Sequence, residues 1–248
     1  MSQLRDYENG CEWDKEQTFE SIAPYTIEEA YEVVDSIERK NIKDLKEELG
    51  DLLLQVVFLS QIAKEDNLFS FEDVASTITE KLIRRHPYVF SDKRRHSSGE
   101  QTEQWERIKE KERISKNQSG VLDGIAKNLP SLKRSQKIQK RASGVGFDWP
   151  DTKGVLEKIK EETSELEEAF ESLNRDQIEE EIGDLLMIIT NLSQKQEIDA
   201  ENALQRANNK FIKRFSYIEE ELKKSHSDFS EVDLQVLDSL WEDSKKLG

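Results

Sequence analysis

The chain has 248 residues, a formal net charge of -16 and a single cysteine, and 36% of its residues are charged. With Cys11 alone there is no intramolecular disulfide framework, which fits a reducing compartment and hence the cytoplasm, and so acidic a surface works against binding a nucleic-acid polymer. No apolar run approaches the roughly 18 residues of a membrane span, and the opening MSQLRDYENG lacks the apolar stretch of a secretory signal, so no membrane partner is expected.

The length allows one large or two medium domains, and two is the better expectation. Ten glycines and four prolines among abundant Glu, Lys, Leu, Ile and Gln favour helix over sheet, so the fold class is all-α. The first predicted helix follows Thr26, read as an N-cap with Glu29 three residues on. It carries Ile27, Ala30, Tyr31, Val33, Val34 and Ile37 at helical spacing. A second runs from about residue 41 or 44 to residue 63, and its segment LLLQVVFL, 52–59, is apolar on nearly every side. Such a helix should be buried between helices or subunits. A third starts near Ser70, carries Val74, Ile78 and Leu82, and stops at His86 because Pro87 lacks an N–H and restricts the residue before it. Residues 91–100 read as an exposed loop, a charged helix surrounds Trp105, and NQSGVLDG at 117–124 reads as a linker. A basic helix over 131–142, the turn-rich GVGFDWPD and four further helical stretches complete the chain. The expected division is a unit over 1–116, a linker over 117–130 and a second unit over 131–248.

Internal repetition is the most informative feature. EELGDLLLQVVFLSQ at 47–61 recurs as EEIGDLLMIITNLSQ at 180–194, displaced by 133 positions, and EEAYE at 28–32 recurs as EETSE at 161–165 with the same displacement. EKLIRRHPYV at 80–89 is echoed by NKFIKRFSYI at 209–218 with a slightly different offset. The chain is two copies of one helical unit.

Each copy sets an E-E-x-x-E segment on one helix before an E-x-x-D segment on the next. The two quartets are Glu29, Glu32, Glu48 and Asp51, and Glu162, Glu165, Glu181 and Asp184. Residues three apart share a helix face, so antiparallel packing would converge four carboxylates. Crowded carboxylates repel by roughly 1 to 4 kcal/mol per pair at about 4 Å, so something positive should sit between them. Hard oxygen ligands without histidine or thiolate suit Mg²⁺, with Mn²⁺ possible. Acids early in a helix also complement its dipole, and Thr26 with Glu29 could be a capping box alone. The repetition of the whole quartet, each beside a G-D-L-L turn, favours the metal.

E-E-x-x-E followed by E-L-G-D or E-I-G-D resembles the signature of the MazG family of all-α nucleoside triphosphate pyrophosphohydrolases. The order CEWDKEQTF, IAPYTIEEAYEV, EELGDLLLQVVF, RRHPYVF, QKIQKRASGVGFDW is similar to the bacterial two-repeat form along nearly the whole chain. That resemblance implies Mg²⁺-dependent hydrolysis of NTPs and dNTPs to monophosphate and pyrophosphate, with the C-terminal unit as the catalytic one. Glu162, Glu165, Glu181 and Asp184 would then hold the metal, with Glu161 as the base. Lys158 lies one turn before Glu162, whereas the first copy has Tyr25 at the matching position. Lys210 and Arg214, four apart on one helix face, suit phosphate contact, as do their first-copy counterparts Lys81 and Arg85. Trp241, among Val236, Leu237 and Leu240, is divided between core packing and stacking on a nucleobase. Glu180, at the head of E-E-I-G-D, joins the substrate-binding set. Where related C-terminal units carry a lysine before E-E-E-x-G-D, this chain has Gln177.

Two other classes compete. A di-iron carboxylate bundle needs E-x-x-H motifs, and none of His86, His96 or His226 has an acid three residues before it. A non-catalytic helical module that binds metal or nucleotide for regulation is the alternative. The nearly all-round apolar helices at 52–59 and 185–192 need more neighbours than a hairpin supplies. Related proteins form homodimers that complete four-helix bundles, and a homodimer is expected here.

Overall fold

The computed structural model describes residues 1–90, 98–115, 118, 120–225 and 228–246. Every regular element among them is helical: α1 Glu12–Glu16, α2 Phe19–Glu38, α3 Ile42–Glu65, α4 Phe71–Arg85, α5 Pro87–Phe90 and α6 Ser98–Ser115. They are followed by α7 Ser131–Ser143, α8 Thr152–Ser172, α9 Arg175–Lys195, α10 Ala200–Lys224, a 3₁₀ turn Phe229–Glu231 and α11 Leu234–Lys245. Two compact units divide the chain, Met1–Lys109 and Glu110–Gly248, with the boundary inside α6. None of the described helices is long and apolar enough to cross a membrane.

In the first unit α2 begins eight residues before the sequence-based expectation. Thr18 Oγ1 accepts the Ser21 N–H at 3.2 Å while Ser21 Oγ accepts the Thr18 N–H at 2.9 Å, a reciprocal cap. That cap secures the first turn ahead of Pro24, which lies inside the helix and has no N–H to give the Glu20 carbonyl. Thr26 is therefore not a cap: its hydroxyl donates to the Ile22 carbonyl one turn back. Asn41 caps α3, which settles its start between the two expected positions, and Ser70 caps α4.

The turn joining α2 to α3 is repeated between α8 and α9. Lys40 and Leu173, at the 133-residue displacement, both adopt left-handed backbone (φ 55° and 53°), and each is followed by a capping asparagine, Asn41 or Asn174. A left-handed residue reverses the chain within three positions, so each helix pair runs antiparallel. A leucine there costs about 1–2 kcal/mol, and Leu173 accepts it with its side chain in solvent.

The second unit adds α7 against α9. Ser135 and Thr190 hydroxyls bond each other, Asn191 Nδ2 donates to Gln139 Oε1 at 3.2 Å, and Gln136 caps the entry to α10 through the Ala200 N–H at 3.0 Å. Residues 120–124 are not free of this unit, because Arg141 Nη1 donates to the carbonyls of Val121 and Asp123. Residues 91–97, most of the expected loop, lie outside the described residues, as do 116, the last of the expected first unit, and 117 and 119 of the expected linker.

Burial inside the units agrees with the expectation that α3 and α9 need more neighbours than a hairpin supplies. Ile22, Phe58 and Ile62 form a buried cluster in the first unit, but 52–59 is not buried on all sides. Leu53, Leu54 and Val56 remain exposed, as do Leu186, Met187 and Ile189 on α9. The α2 stripe is likewise split, with Ile27, Tyr31, Val34 and Ile37 facing solvent. A two-helix hairpin covers one face of each helix and leaves the other bare.

Candidate metal centres

Antiparallel packing brings both quartets together as their spacing implies. Carboxylate oxygens of Glu29, Glu48 and Asp51 lie within 4.8 Å of one another, and so do those of Glu162, Glu165 and Glu181. Glu32 and Asp184 stand at the edges of these triads. Glu32 bonds Glu48, and Asp184 presses electrostatically on Glu181.

Like charge is the dominant feature of the first cluster. Desolvation, then Asp51, Glu32 and Glu48, push the Glu29 carboxyl above the ordinary carboxylate range, and desolvation with Glu32 and Asp51 does the same to Glu48. Its one polar companion from the core is Gln55, buried, whose Nε2 reaches Glu29 Oε1 at 3.4 Å. No lysine or arginine is paired with Glu29, Glu48 or Asp51 in the described structure.

The second cluster differs by one cation. Lys158 Nζ lies 2.8 Å from both Glu161 Oε1 and Glu162 Oε1, and these two bonds raise its pKa far above that of an ordinary lysine. Glu162 is only 6% exposed, so a charged partner offsets much of the cost of placing it there. Glu181 has no such partner, and desolvation followed by repulsion from Glu165 and Glu162 raises its pKa. Glu161 itself is exposed, with one oxygen taken by Lys158. Glu180 points into solvent beside Glu181.

A divalent cation fits both clusters on chemistry alone. Three carboxylate oxygens gathered with raised proton affinity are what a hard oxygen-binding ion neutralises, and no histidine or cysteine competes.

The remaining expected substrate residues sit elsewhere. Arg214 lies with its guanidinium carbon 5.5 Å from the centre of the Trp241 ring, and Phe211 packs against Trp241 at 5.2 Å. Phe215 continues this stack to Phe229. Trp241 thus joins an aromatic cluster between α10 and α11, with Arg214 beside its ring. Lys210 is exposed one turn before Arg214.

Sequence reading missed two further features, one in each unit. Lys195 Nζ pairs with Asp148 Oδ2 at 2.7 Å, both largely buried, and Asn191 also donates to Asp148. Burial alone would raise the Asp148 pKa, but these bonds and the Trp149 N–H hold it low. The signal was the acid of GVGFDW. In the first unit Trp13, Tyr25 and Phe58 make edge-to-face contacts at 6.1 and 6.4 Å, and the signal was the tryptophan of CEWDKEQTF.

Comparison with known proteins agrees with this geometry. Residues 17–90 and 151–218 each match the model of the MazG nucleotide pyrophosphohydrolase domain. Over 99% of its length the chain is 47% identical to a nucleoside triphosphate pyrophosphohydrolase of Escherichia coli (strain K12), spanning 94% of that protein. It is similarly 48% identical, across 99% of this chain and 92% of the other, to the nucleoside triphosphate pyrophosphohydrolase/pyrophosphatase MazG of Thermotoga maritima.

Proposed function

The chain belongs to the MazG nucleotide pyrophosphohydrolase family, a metal-dependent hydrolase of nucleoside triphosphates, and on that premise we propose that its second repeat is the catalytic one and that its metal is Mg²⁺, with Mn²⁺ able to substitute. The reaction releases a nucleoside monophosphate and pyrophosphate. The observation that carries the assignment is Lys158, an ammonium 2.8 Å from the buried Glu162 inside a carboxylate triad. The first repeat has Tyr25 in its place.

Glu162, Glu165, Glu181 and Asp184 hold the cation, which when bound neutralises phosphate charge and favours deprotonation of water. Lys158 orients Glu161 and Glu162 and presents its remaining N–H to a phosphate oxygen. Glu161 accepts the proton of the attacking water, its exposed second oxygen being free of Lys158. Lys210 and Arg214 meet phosphates, Glu180 meets the substrate beside Glu181, and Trp241 offers a face for the base. The first quartet, Glu29, Glu32, Glu48 and Asp51, holds a second cation.

We place the protein in a homodimer. The support is an apolar face repeated in register: Leu49, Leu53 and Val56 on α3 correspond at displacement 133 to Ile182, Leu186 and Ile189 on α9, and all six are exposed. A face kept apolar in both repeats has a partner.

Incubation with a mixed NTP and dNTP pool and Mg²⁺, with products resolved by anion exchange, tests the reaction. Monophosphate with pyrophosphate is expected. Diphosphate with phosphate would mean cleavage of the wrong bond, and no metal-dependent turnover would favour a regulatory binding module.

A further inference from the structure

The hydrolytic chemistry makes no use of α7. Between Ser131 and Ser143 this helix carries Lys133, Arg134, Lys137, Lys140 and Arg141 and no acid, within a chain of net charge -16. Cations three and four apart repel along a helix face, and Lys133 and Arg134 also sit in the early turns, where the helix dipole disfavours positive charge. Other helices set lysines against glutamates at the same spacings, as in Lys153 with Glu157 on α8 and Lys224 with Glu221 on α10. The unbroken basic run therefore costs α7 stability that alternation would have spared.

The charges lie on the side of α7 that the unit does not need. At about 100° per residue, Arg134, Lys137 and Lys140 follow one another round about a third of the helix, and all three are exposed. The other side is anchored, Ser135 to Thr190, Gln139 to Asn191, and Gln136 to the Ala200 N–H and the Ile198 carbonyl. Lys133 is spent on Asp199. Among the described residues no carboxylate pairs with Arg134 or Lys137. A rigid helix thus presents a row of cations outward.

This row is remote from the carboxylate cluster. Thr190 and Asn191 lie nine and ten residues along α9 from Glu181, about 14–15 Å at 1.5 Å per residue, and Arg134 and Lys137 stand on the far side of α7 from them. That exceeds the Debye length of about 8 Å at physiological ionic strength. The row neither holds nor steers the triphosphate.

Fixed, exposed cations select an anionic partner, and the extent of the row selects its kind. From Arg134 to Lys140 it spans about 9 Å. A nucleic-acid duplex carries a charge about every 1.7 Å and runs past both ends of so short a row, where it meets a chain of net charge -16. A short run of Asp and Glu side chains matches the row and stops with it. We infer that the outer face of α7 is a docking surface for a short acidic segment of another protein, whose carboxylates pair with Arg134 and Lys137 beside Lys140. Exposed ion pairs are individually weak and screened by salt, so the contact is transient and tightens as ionic strength falls.

The test titrates the full chain into a fluorescein-labelled oligoglutamate peptide about as long as α7, followed by anisotropy at low ionic strength. Saturable binding is expected, weakened about tenfold or more, equivalent to about 1.4 kcal/mol, when Arg134→Glu is combined with Lys137→Glu. Lys43→Glu with Lys46→Glu, an equal change of charge on α3, should leave the affinity unaltered. Metal-dependent NTP hydrolysis should persist in the α7 variant, which separates this surface from the hydrolytic site. Should the reversals reduce the helical signal by circular dichroism, Arg134→Gln with Lys137→Gln takes their place, with a smaller loss in the same direction. No saturable binding, an affinity untouched by the α7 variant, or an equal loss in the α3 variant overturns the inference. Tighter binding of oligouridylate or of phosphatidylserine vesicles, lost with Arg134 and Lys137, would give the face to nucleic acid or membrane and overturn the acidic segment. A halved mass by light scattering in the α7 variant would give it to a second copy, with the same consequence.

Discussion

Glu162 is the acid whose loss the site can least absorb, because it is buried, belongs to the triad and is the anchor of Lys158. Glu162→Gln keeps its volume and removes its charge. We expect kcat to fall by about 10²–10³-fold, the scale of losing one preorganised electrostatic group, with an unchanged helical spectrum. A folded variant with wild-type turnover would remove Glu162 from the ligand set. Glu181 makes the opposite prediction for stability. Its pKa is raised in the folded chain, so the native state holds a proton that the unfolded state has released. Stability from this source is full below the ordinary carboxylate pKa and is lost as pH rises through the elevated value. Metal-free protein should therefore melt higher when mildly acidified from neutrality, and Glu181→Gln should flatten that slope while raising the neutral-pH melting point. Mg²⁺ at about 100 times its Kd should add about 2.7 kcal/mol for each site it fills in the wild-type chain at neutral pH. Thermal melts across pH with and without Mg²⁺ read all three. A melting point that rises from mild acid to neutrality in the absence of metal would contradict the crowded-acid description of the cluster.

At the scale of elements, α9 is where the second repeat is most heavily tied. Its N-terminus is capped by Asn174, its middle meets α7 through Thr190 and Asn191, and its last turn pairs Lys195 with Asp148. Both partners of that ion pair are largely removed from water, so deleting one leaves a buried charge alone. Lys195→Met should cost about 3 kcal/mol, measured by urea unfolding. Because Asp148 is held low by this bond, the wild-type advantage over the variant should vanish as pH falls through the depressed Asp148 pKa. Surface pairs such as Lys153 with Glu157, both side chains mostly in water, should matter little by comparison. A loss as small as that of a surface pair would mean the Lys195 network is not a structural tie.

In the whole molecule exposed apolar residues recur on matching faces of the two units, Leu49, Leu53 and Val56 in one and Ile182, Leu186 and Ile189 in the other. A dimer is the economical cover. Light scattering at micromolar concentration should return twice the chain mass, and Leu53→Asp combined with Leu186→Asp should halve it. A monomer in the wild type would leave the apolar faces without the partner assigned to them.

How much of this was legible in the chain depended on whether the information was local. The all-α class, the helix start near Ser70 and the stop at His86 follow from short-range backbone chemistry, and the quartets were legible because repetition at 133 positions copies spacing as well as residue type. Thr26 was misplaced because a cap is decided by which hydroxyl meets an N–H three residues on, and Thr18 with Ser21 satisfied that condition first. What covers 52–59 was not legible, because periodicity reports how apolar a helix is and not which neighbours reach it, and within its own unit Leu53, Leu54 and Val56 stay exposed. Spacing by itself thus determined which carboxylates share a helix face and that they would converge in two copies. Only the tertiary structure decided that Lys158 spends its charge on Glu161 and Glu162 and that Arg214 turns to Trp241. Those outcomes depend on which side chains from separate helices meet, and no single helix carries that information.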